Sequence, residues 1–335
     1  MINLKNDYNT IGDKKILEEL INNSDNKYIG YGEDVKTKEL NDLVNKICKK
    51  NVDTYVLAGG TITNVIGLNQ MLKYSYEAVI TIESSHINVH ETGAIEATGH
   101  KIIYTPKING KIDISKIEDT YNKFVDNHMV MPKALYLSNA TELGEAYTLD
   151  ELKEISNICK KLNLYFFIDG ARLPQALVSM NYKLEDIASL CDMFYLGGTK
   201  LGLPFGELLI IINDELKTNF KYLIKNKLGM LAKGFVGATL FLAFLKDDYY
   251  LSLANKSISM ANKLREELKD YIIYPNKTNQ VFIKLNNGIV NKLSDYIEFE
   301  VWEITKEYTV IRLVTAFNTT IEEIEECIST IKNIK

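Results

Sequence analysis

The sequence predicts an α/β fold, because short apolar strands alternate with amphipathic helices over most of its 335 residues. Hydrophobic residues make up 46% and charged residues 25%, which is ordinary for a globular protein with a large core. A chain of this length predicts one large domain with a smaller companion. The formal net charge of −5 argues against a nucleic-acid-binding surface. The longest apolar run, residues 235–245, is too short to span a bilayer and indicates a buried helix.

Seven strand candidates share a short apolar run bounded by small or polar residues. They are Thr54–Leu57, Ala78–Ile82, Lys101–Tyr104, Ala134–Leu137, Leu164–Ile168, Met193–Leu196 and Leu208–Ile212. Amphipathic segments between them predict the helices Thr37–Lys50, Thr63–Leu72, Ile114–Phe124 and Asp150–Leu162. The last helix follows a capping box, in which Glu151 stands three residues after Thr148. Since strands that alternate with helices form parallel sheets, we expect a mostly parallel seven-stranded sheet between helices.

The pattern changes after Leu245 and predicts an α+β module. Its predicted elements are the helices Tyr249–Leu268 and Thr320–Ile334 and the strands Ile272–Tyr274, Gln280–Leu285, Phe299–Ile304 and Val310–Leu313. The N-terminal segment up to about Asn45 is expected to join this module, because it precedes the first strand of the large sheet. The predicted domains are therefore a large one over residues 46–245 and a small one over residues 1–45 and 246–335.

The cysteines indicate a reducing compartment. Cys48, Cys159, Cys191 and Cys327 are far apart and form no CxxC pattern, so we expect free thiols in the cytoplasm. The first residues carry neither the basic nor the apolar region of a secretory signal. No cluster of His, Cys or carboxylate residues has the spacing of metal ligands, and we expect no metal.

Two apolar strands each end in a charged group. Asp169 follows residues 165–168, with Arg172 three residues on, and Lys200 follows Gly197-Gly198-Thr199. Ligands of open α/β sheets bind at the carboxyl ends of strands. A protein that holds pyridoxal phosphate needs a lysine for a Schiff base and a carboxylate that keeps the ring nitrogen protonated. The alternatives are that Asp169 caps the next helix and that Lys200 is an ordinary surface lysine.

A third segment predicts an anion site. Gly59-Gly60-Thr61 stands between a strand and a helix start, where free backbone N–H groups and the helix dipole attract a phosphate, supported by the Thr61 hydroxyl. Glycine pairs before helices are common, so this signal is weak alone. The chain has no GxxxxGK[ST] or GxGxxG motif, which disfavours a P-loop or dinucleotide site.

Two further residues could act in such a site. His86 follows a predicted strand and could lie flat on a cofactor ring. The alternative is that it has no functional role, as is common for a lone histidine in a loop. Arg312 stands inside an apolar strand, and the chain has only three arginines. A buried guanidinium demands an anion, which a substrate carboxylate or an internal salt bridge would supply.

Taken together, these segments resemble the threonine aldolase and β-eliminating lyase group of pyridoxal-phosphate enzymes, which have the aspartate-aminotransferase-like fold (fold type I). The resemblance runs from residues 6–8 to residues 312–315. It also includes Gly30-Tyr31-Gly32-Glu33-Asp34, Gly59-Gly60-Thr61, His86, residues 91–101, Asp169-Gly170-Ala171-Arg172 and Gly198-Thr199-Lys200. It implies the cofactor pyridoxal 5′-phosphate, an amino-acid substrate, and a homodimer or homotetramer with shared active sites.

The resemblance also implies residue roles. Lys200 would bond to the cofactor, Asp169 would hold the ring nitrogen, and His86 would stack on the ring. Catalytic roles fall to Lys200, Asp169, His86 and, by a looser alignment, His128. Cofactor contacts fall to Gly59, Gly60, Thr61, His86, Asp169, Arg172, Thr199, Lys200 and Lys233. Substrate contacts fall to Asn6, Tyr31, Arg172 and Arg312, with Tyr31 and Lys233 reaching in from a neighbouring subunit.

The chain departs from the aldolase pattern at three places. Asn6 stands where aldolases usually have Ser, residues 233–235 replace a more Arg-rich stretch, and residues 202–206 differ. The leading hypothesis is an L-threonine-type aldolase that cleaves a β-hydroxy-α-amino acid to glycine and an aldehyde. The alternatives are a β-eliminating lyase that releases pyruvate and ammonia, and a non-catalytic binding or regulatory protein.

Overall fold

The computed structural model describes residues 1–334. In that range the strands are, in chain order, β1 Ile2–Asn3, β2 Asp53–Leu57, β3 Glu77–Ile82, β4 Lys101–Thr105, β5 Lys107–Ile108, β6 Lys111–Ile112, β7 Met131–Ser138, β8 Tyr165–Asp169, β9 Met193–Gly197, β10 Glu207–Ile211, β11 Gln280–Asn286, β12 Ile297–Glu298, β13 Glu300–Ile304 and β14 Tyr308–Val314. The α-helices are α1 Lys14–Asn22, α2 Val35–Cys48, α3 Gly60–Met71, α4 His86–Val89, α5 Ile117–Asn122, α6 Leu149–Leu162, α7 Leu173–Met180, α8 Leu184–Ala188, α9 Asp214–Lys217, α10 Phe220–Asn226, α11 Gly234–Leu245, α12 Tyr249–Glu267, α13 Asn287–Leu293 and α14 Ile321–Asn333.

A seven-stranded sheet forms the centre of the large unit. Its strand order is β2-β10-β9-β8-β7-β3-β4. Strand β10 is antiparallel to both of its neighbours, and the other pairs are parallel. The predicted α/β fold with a mostly parallel seven-stranded sheet is thus confirmed. The carboxyl ends of the parallel strands meet at one edge, which is where the candidate site lies.

Both faces of this sheet are buried, as the continuous apolar strands require. Adjacent side chains point to opposite faces. Phe166 belongs to the core cluster that contains Phe241, whereas Phe167 belongs to the cluster that contains Tyr136 and Ile66. Helices therefore cover the sheet on both sides.

The smaller unit contains a three-stranded antiparallel sheet in the order β11-β14-β13. Helices α12 and α14 cover it, with Leu264 and Ile324 packed in one cluster with Ile311. The predicted strand at Ile272–Tyr274 is only an isolated bridge between Ile272 and Ile283. A 3₁₀ turn precedes it and Pro275 follows it, which leaves too few residues for a ladder.

The N-terminal segment contacts both units. Strand β1 pairs in parallel with β12 of the smaller unit. Helices α1 and α2, by contrast, pack on α11, and Ile16 and Leu40 belong to the same cluster as Phe241. The domain boundary at residues 45 and 46 stays a prediction, since α2 runs across it.

No helix within residues 1–334 is long and apolar enough to cross a membrane. The same part of the chain holds no group of three or more His, Cys, Asp or Glu residues that could bind a metal. All four cysteines are buried and free.

Candidate active site

A cavity of about 340 Å³ lies at the carboxyl ends of β7, β8 and β9, beside the start of α3. It brings together eight of the residues that the sequence singled out. These are Gly59, Gly60, Thr61, His86, Asp169, Arg172, Thr199 and Lys200. Their roles stay predictions, but their convergence from four separate segments is a structural fact.

Asp169 is the most constrained acid in the cavity. It is 3% exposed and accepts hydrogen bonds from the hydroxyls of Tyr136 and Tyr195, each at 2.5 Å, from Asn64 Nδ2 at 3.0 Å and from the N–H of Ala171 at 3.0 Å. Burial by itself would raise the pKa of Asp169. The positive charge that His86 carries when it is protonated and these hydrogen bonds outweigh burial and lower that pKa, so the group stays ionised. An ionised buried carboxylate can hold a protonated pyridine nitrogen.

The glycines beside Asp169 and Lys200 allow two loops to touch. The N–H of Gly197 donates a 2.9 Å hydrogen bond to the carbonyl of Gly170. A Cβ on Gly170 would lie only 1.7 Å from the carbonyl oxygen of Tyr195, and one on Gly197 would lie 2.4 Å from that of Ala171. Only glycine fits at these two positions, which explains both motifs.

The buried carboxylate of Glu91 orients the ring of His86. Its Nδ1 lies 2.7 Å from Glu91 Oε1, and Glu91 is 5% exposed. Asn64 Nδ2 donates to the same Glu91 oxygen at 2.7 Å and also to Asp169. Because a carboxylate accepts, the proton of the imidazole sits on Nδ1 and leaves Nε2 as the ring acceptor.

Lys200 shares the cavity with a second buried carboxylate, Glu207. Burial lowers the pKa of Lys200, and the charge of Arg172 lowers it further, although Asp7, Asp169 and Glu207 act in the opposite direction. Burial raises the pKa of Glu207, against the attraction of Lys200 and a 3.0 Å hydrogen bond from the N–H of Gly198. A lowered lysine pKa favours the neutral amine that can act as a nucleophile.

The start of α3 fits a phosphate. Its N-cap, Gly59, offers no side chain to the first N–H groups of the helix, which therefore face the cavity rim without a side-chain cap. Thr61 and Thr199 add hydroxyls at the same rim. Lys200 could bond to the cofactor and Asp169 could hold its ring nitrogen, so the residues present fit pyridoxal phosphate.

Arg172 is committed to an internal ion pair. Its Nε and one terminal nitrogen donate to Asp7 at 2.7 and 3.0 Å, and Asn279 donates to the same carboxylate at 2.9 Å. Asp7 is 1% exposed. This pair ties the N-terminal segment to the edge of the large sheet. The sequence analysis did not identify Asp7 as this partner.

Arg312 lies near this pair in β14, on the smaller unit. One terminal nitrogen donates to Gln280 Oε1 at 3.1 Å, and the guanidinium carbon lies 5.2 Å from the centre of the Trp302 ring. Its Nε is buried without a partner among the described residues. Burial and the charge of Arg172 lower the pKa of Arg312 to about 10. An internal salt bridge is absent for this residue within residues 1–334, which leaves it able to take an external anion.

Five predicted residues lie outside the lining of this cavity, and Arg312 is one of them. The side-chain oxygen of Asn6 accepts a hydrogen bond from the N–H of Tyr8 and so caps the turn there. Tyr31 lines a separate cavity of about 520 Å³ between α2 and α11, and Lys233 is exposed at the start of α11. His128 is exposed just before β7, roughly 25 Å from the end of that strand at Ser138 (about 3.3 Å per residue). One chain therefore does not bring His128 to the cavity.

Sequence reasoning missed several polar groups of the site: the buried Asn64, Glu91, Tyr136, Tyr195 and Glu207, the half-buried Ser138 and Glu142, and the exposed Tyr8. The available signal was a polar residue within or just after an apolar strand, as at Tyr136 and Tyr195. Glu142, whose Oε1 accepts from Ser138 and from the N–H of His86, lies in a loop that carries no such signal.

Comparisons with known proteins agree with the motifs. The sequence profile of the family described as beta-eliminating lyase matches residues 12–287. A low specificity L-threonine aldolase from Pseudomonas aeruginosa is 30% identical over 271 residues, which cover 78% of this chain and 78% of that protein. One from Escherichia coli is 26% identical over 301 residues, or 88% of each chain. Among solved structures, a threonine aldolase from Leishmania major superposes with a TM-score of 0.96 at 37% identity over 99% of each chain.

Proposed function

The chain belongs to the beta-eliminating lyase family, within its threonine aldolase branch, and on that premise we propose that it is an L-threonine-type aldolase. It cleaves a β-hydroxy-α-amino acid to glycine and an aldehyde, with pyridoxal phosphate held at Lys200. The observation that carries this proposal is the cavity in which Lys200, Asp169 and His86 converge beside the uncapped start of α3.

Bound pyridoxal phosphate supplies an electron sink for the electron pair released when the Cα–Cβ bond breaks. Asp169, kept ionised by its four hydrogen bonds, holds the ring nitrogen in its protonated form. The N–H groups at the start of α3, with Thr61 and Thr199, anchor the phosphate. Arg312 holds the substrate carboxylate through its unpartnered Nε and its terminal nitrogens.

The base is His86. Glu91 fixes its Nδ1 proton, so Nε2 is the nitrogen that can take the proton of the β-hydroxyl group. Arg172 orients the substrate side of the site, and its charge is balanced by Asp7. We assign His128 no role within its own subunit, because it lies at the opposite edge of the sheet.

The test is a product assay. Each molecule of threonine or allo-threonine that is cleaved should give one glycine and one acetaldehyde. O-acetylserine and S-alkylcysteine should give little pyruvate. His86→Phe should lower the rate of glycine release by about 10²–10⁴-fold, and Lys200→Ala should abolish it. The His128→Phe variant is the matched control and should keep activity if a partner does not supply this residue. Pyruvate as the main product would instead support β-elimination.

We also propose that the protein acts in the cytoplasm as a homodimer or homotetramer with shared sites. The four free buried cysteines support a reducing compartment. Tyr31, 52% exposed, and Lys233 support the shared site, since both lie outside the cavity of their own chain. Mixed oligomers of a Lys200→Ala chain and a Tyr31→Ala/Lys233→Ala chain should recover activity that neither parent has. Full activity in a dilute sample that light scattering shows to be monomeric would contradict a shared active site.

A further inference from the structure

Glu207 is a buried carboxylate to which the proposed reaction assigns no task. It begins β10 and pairs across the ladder with Gly197 of β9, so it lies at the end of the strand that leads to Lys200. It is 4% exposed and lines the same cavity as Lys200. Its Oε2 accepts a hydrogen bond of 3.0 Å from the N–H of Gly198, and a hydrogen bond with the side chain of Thr199 also lowers its pKa. These two neutral donors do not offset the cost of burying a full negative charge, and burial still raises the pKa of Glu207.

Two cations lie near Glu207, and one of them is already paired. Arg172 donates twice to Asp7, at 2.7 and 3.0 Å, which balances its charge. Lys200 forms no salt bridge within 4.0 Å among the described residues, yet its charge lowers the pKa of Glu207. Lys200 is therefore the cation that remains for this carboxylate.

Of the carboxylates near Lys200, two already have other partners. Asp169 accepts four hydrogen bonds and, in the proposed function, faces the ring nitrogen. Asp7 belongs to Arg172. Glu207 is thus the carboxylate that remains for Lys200. The titratable and charged groups that act on this pair are Asp7 on the N-terminal segment, Asp169 on β8, Arg172 before α7, Tyr195 on β9 and His90 after α4.

We propose that Glu207 is a positioning residue that acts as the counter-charge of Lys200. Loss of the ammonium proton of Lys200 to solvent gives the neutral amine, and the charge of Glu207 raises the pH at which this loss occurs. The neutral nitrogen can then bond to the aldehyde carbon of the cofactor, and the aldehyde oxygen leaves as water. This inference rests on the proposed role of Lys200.

The test compares wild type with Glu207→Gln. Glutamine keeps an oxygen that accepts from the N–H of Gly198, but it carries no charge. The apoenzyme is mixed with pyridoxal phosphate across a pH series, and the rate of attachment is followed by the visible absorption of the bound cofactor. Without the carboxylate the ammonium of Lys200 is less stable, so the midpoint of the pH profile should fall by about one pH unit.

Two controls define the result. Glu207→Asp keeps the charge and should return the midpoint toward that of wild type. Glu145→Gln removes a half-buried carboxyl outside this cavity, whose charged neighbours are Lys111 and Glu151 rather than Lys200, and should leave the midpoint unchanged. An unchanged midpoint in Glu207→Gln would overturn the proposal and reduce Glu207 to a hydrogen-bond acceptor for Gly198.

Mass spectrometry of the borohydride-reduced protein separates this inference from the proposed function. An adduct on a lysine other than Lys200 would overturn both, whereas an adduct on Lys200 with an unchanged midpoint would overturn only the inference. If Glu207→Gln does not fold, the reciprocal variant Lys200→Met serves. Loss of the cation should raise the pH at which the buried acid of Glu207 ionises, seen as a protonated-carboxyl infrared band. The same titration in both proteins would contradict the coupling.

Discussion

The orientation of His86 depends on a residue that never touches the cavity. Glu91 Oε1 receives both the Nδ1–H of His86 and Asn64 Nδ2, while its other oxygen has no partner among the described residues. Such an arrangement holds one tautomer of the imidazole and one ring plane, as a carboxylate does for the histidine of a catalytic triad.

Glu91→Gln should therefore lower the rate of glycine release by about 10- to 100-fold. Glutamine can still occupy the space, but as a neutral group it holds the Nδ1 proton less strongly. The occupancy of pyridoxal phosphate, measured by absorbance, should stay near that of wild type. If kcat does not change, or if cofactor binding falls in parallel, Glu91 has only a packing role.

The guanidinium of Arg312 is held in a fixed plane by its neighbours. Trp302 lies under one face and Gln280 binds one nitrogen, so the group is already held in place before substrate arrives. Preorganisation of this kind favours a bidentate grip on a carboxylate.

Arg312→Lys should lower kcat/KM by roughly 30- to 1,000-fold, which corresponds to a loss of about 2–4 kcal/mol. Lysine keeps the charge but has neither the fork nor the plane that stacks on Trp302. Steady-state kinetics with threonine measure the effect. Full activity of Arg312→Lys would show that charge alone suffices.

At the scale of elements, the start of α3 distinguishes two adjacent glycines. Gly59 has φ −178°, an extended conformation that any residue adopts, and no atom lies within 4 Å of a Cβ built there. A Cβ on Gly60 would lie 3.3 Å from the hydroxyl of Tyr195, which in turn donates to Asp169.

Gly60→Ala should therefore weaken pyridoxal phosphate binding by about tenfold, or ~1.4 kcal/mol, because it displaces Tyr195 and narrows the phosphate site. Gly59→Ala is the matched control and should change the dissociation constant little. An absorbance titration of the apoenzymes gives both values. Equal effects of the two variants would mean that the tight contact with Tyr195 has no influence on the cofactor.

At the scale of the whole molecule, the pair of Asp7 and Arg172 joins the N-terminal segment to the large sheet. Burial by itself would raise the pKa of Asp7, but Arg172, Lys200 and Asn279 lower it below its ordinary value. A carboxyl whose pKa is lowered by folding stabilises the native state fully above its unfolded pKa, near 4. That contribution disappears as the pH falls through the lowered native pKa.

Asp7→Asn should lower the free energy of unfolding by about 3–5 kcal/mol at neutral pH, since it leaves Arg172 buried without a full counter-charge. The variant should also lose less stability than the wild type when the pH falls below 4. Urea unfolding at pH 7 and pH 3.5 measures both effects. The exposed Asp270→Asn is the control for the chemical change, and a double variant with Arg172→Gln should be less destabilised than Asp7→Asn alone.

The sequence by itself determined the fold class, the seven strands of the large sheet and the segments that meet at its edge. Each of these depends on local information: apolar runs of strand length, helical spacing, and glycines that follow a strand. The motifs around Asp169 and Lys200 were visible for the same reason, because Gly170 and Gly197 must stand beside them in the chain for the loops to touch. The family resemblance added roles to positions that these local rules had marked.

Only the tertiary structure decided which polar groups face one another. Asp7 meets Arg172 across 165 positions of the chain, and Asn64 meets Asp169 across 105. No local spacing relates such pairs, because the sheet order and the packing of β1 on the smaller unit bring them together. Glu207 was hidden in the same way, since an acid at a strand start resembles any polar strand end until the fold buries it beside Lys200. The structure also separated His128 from the cavity, because the direction of β7 decides which end of that strand faces the site.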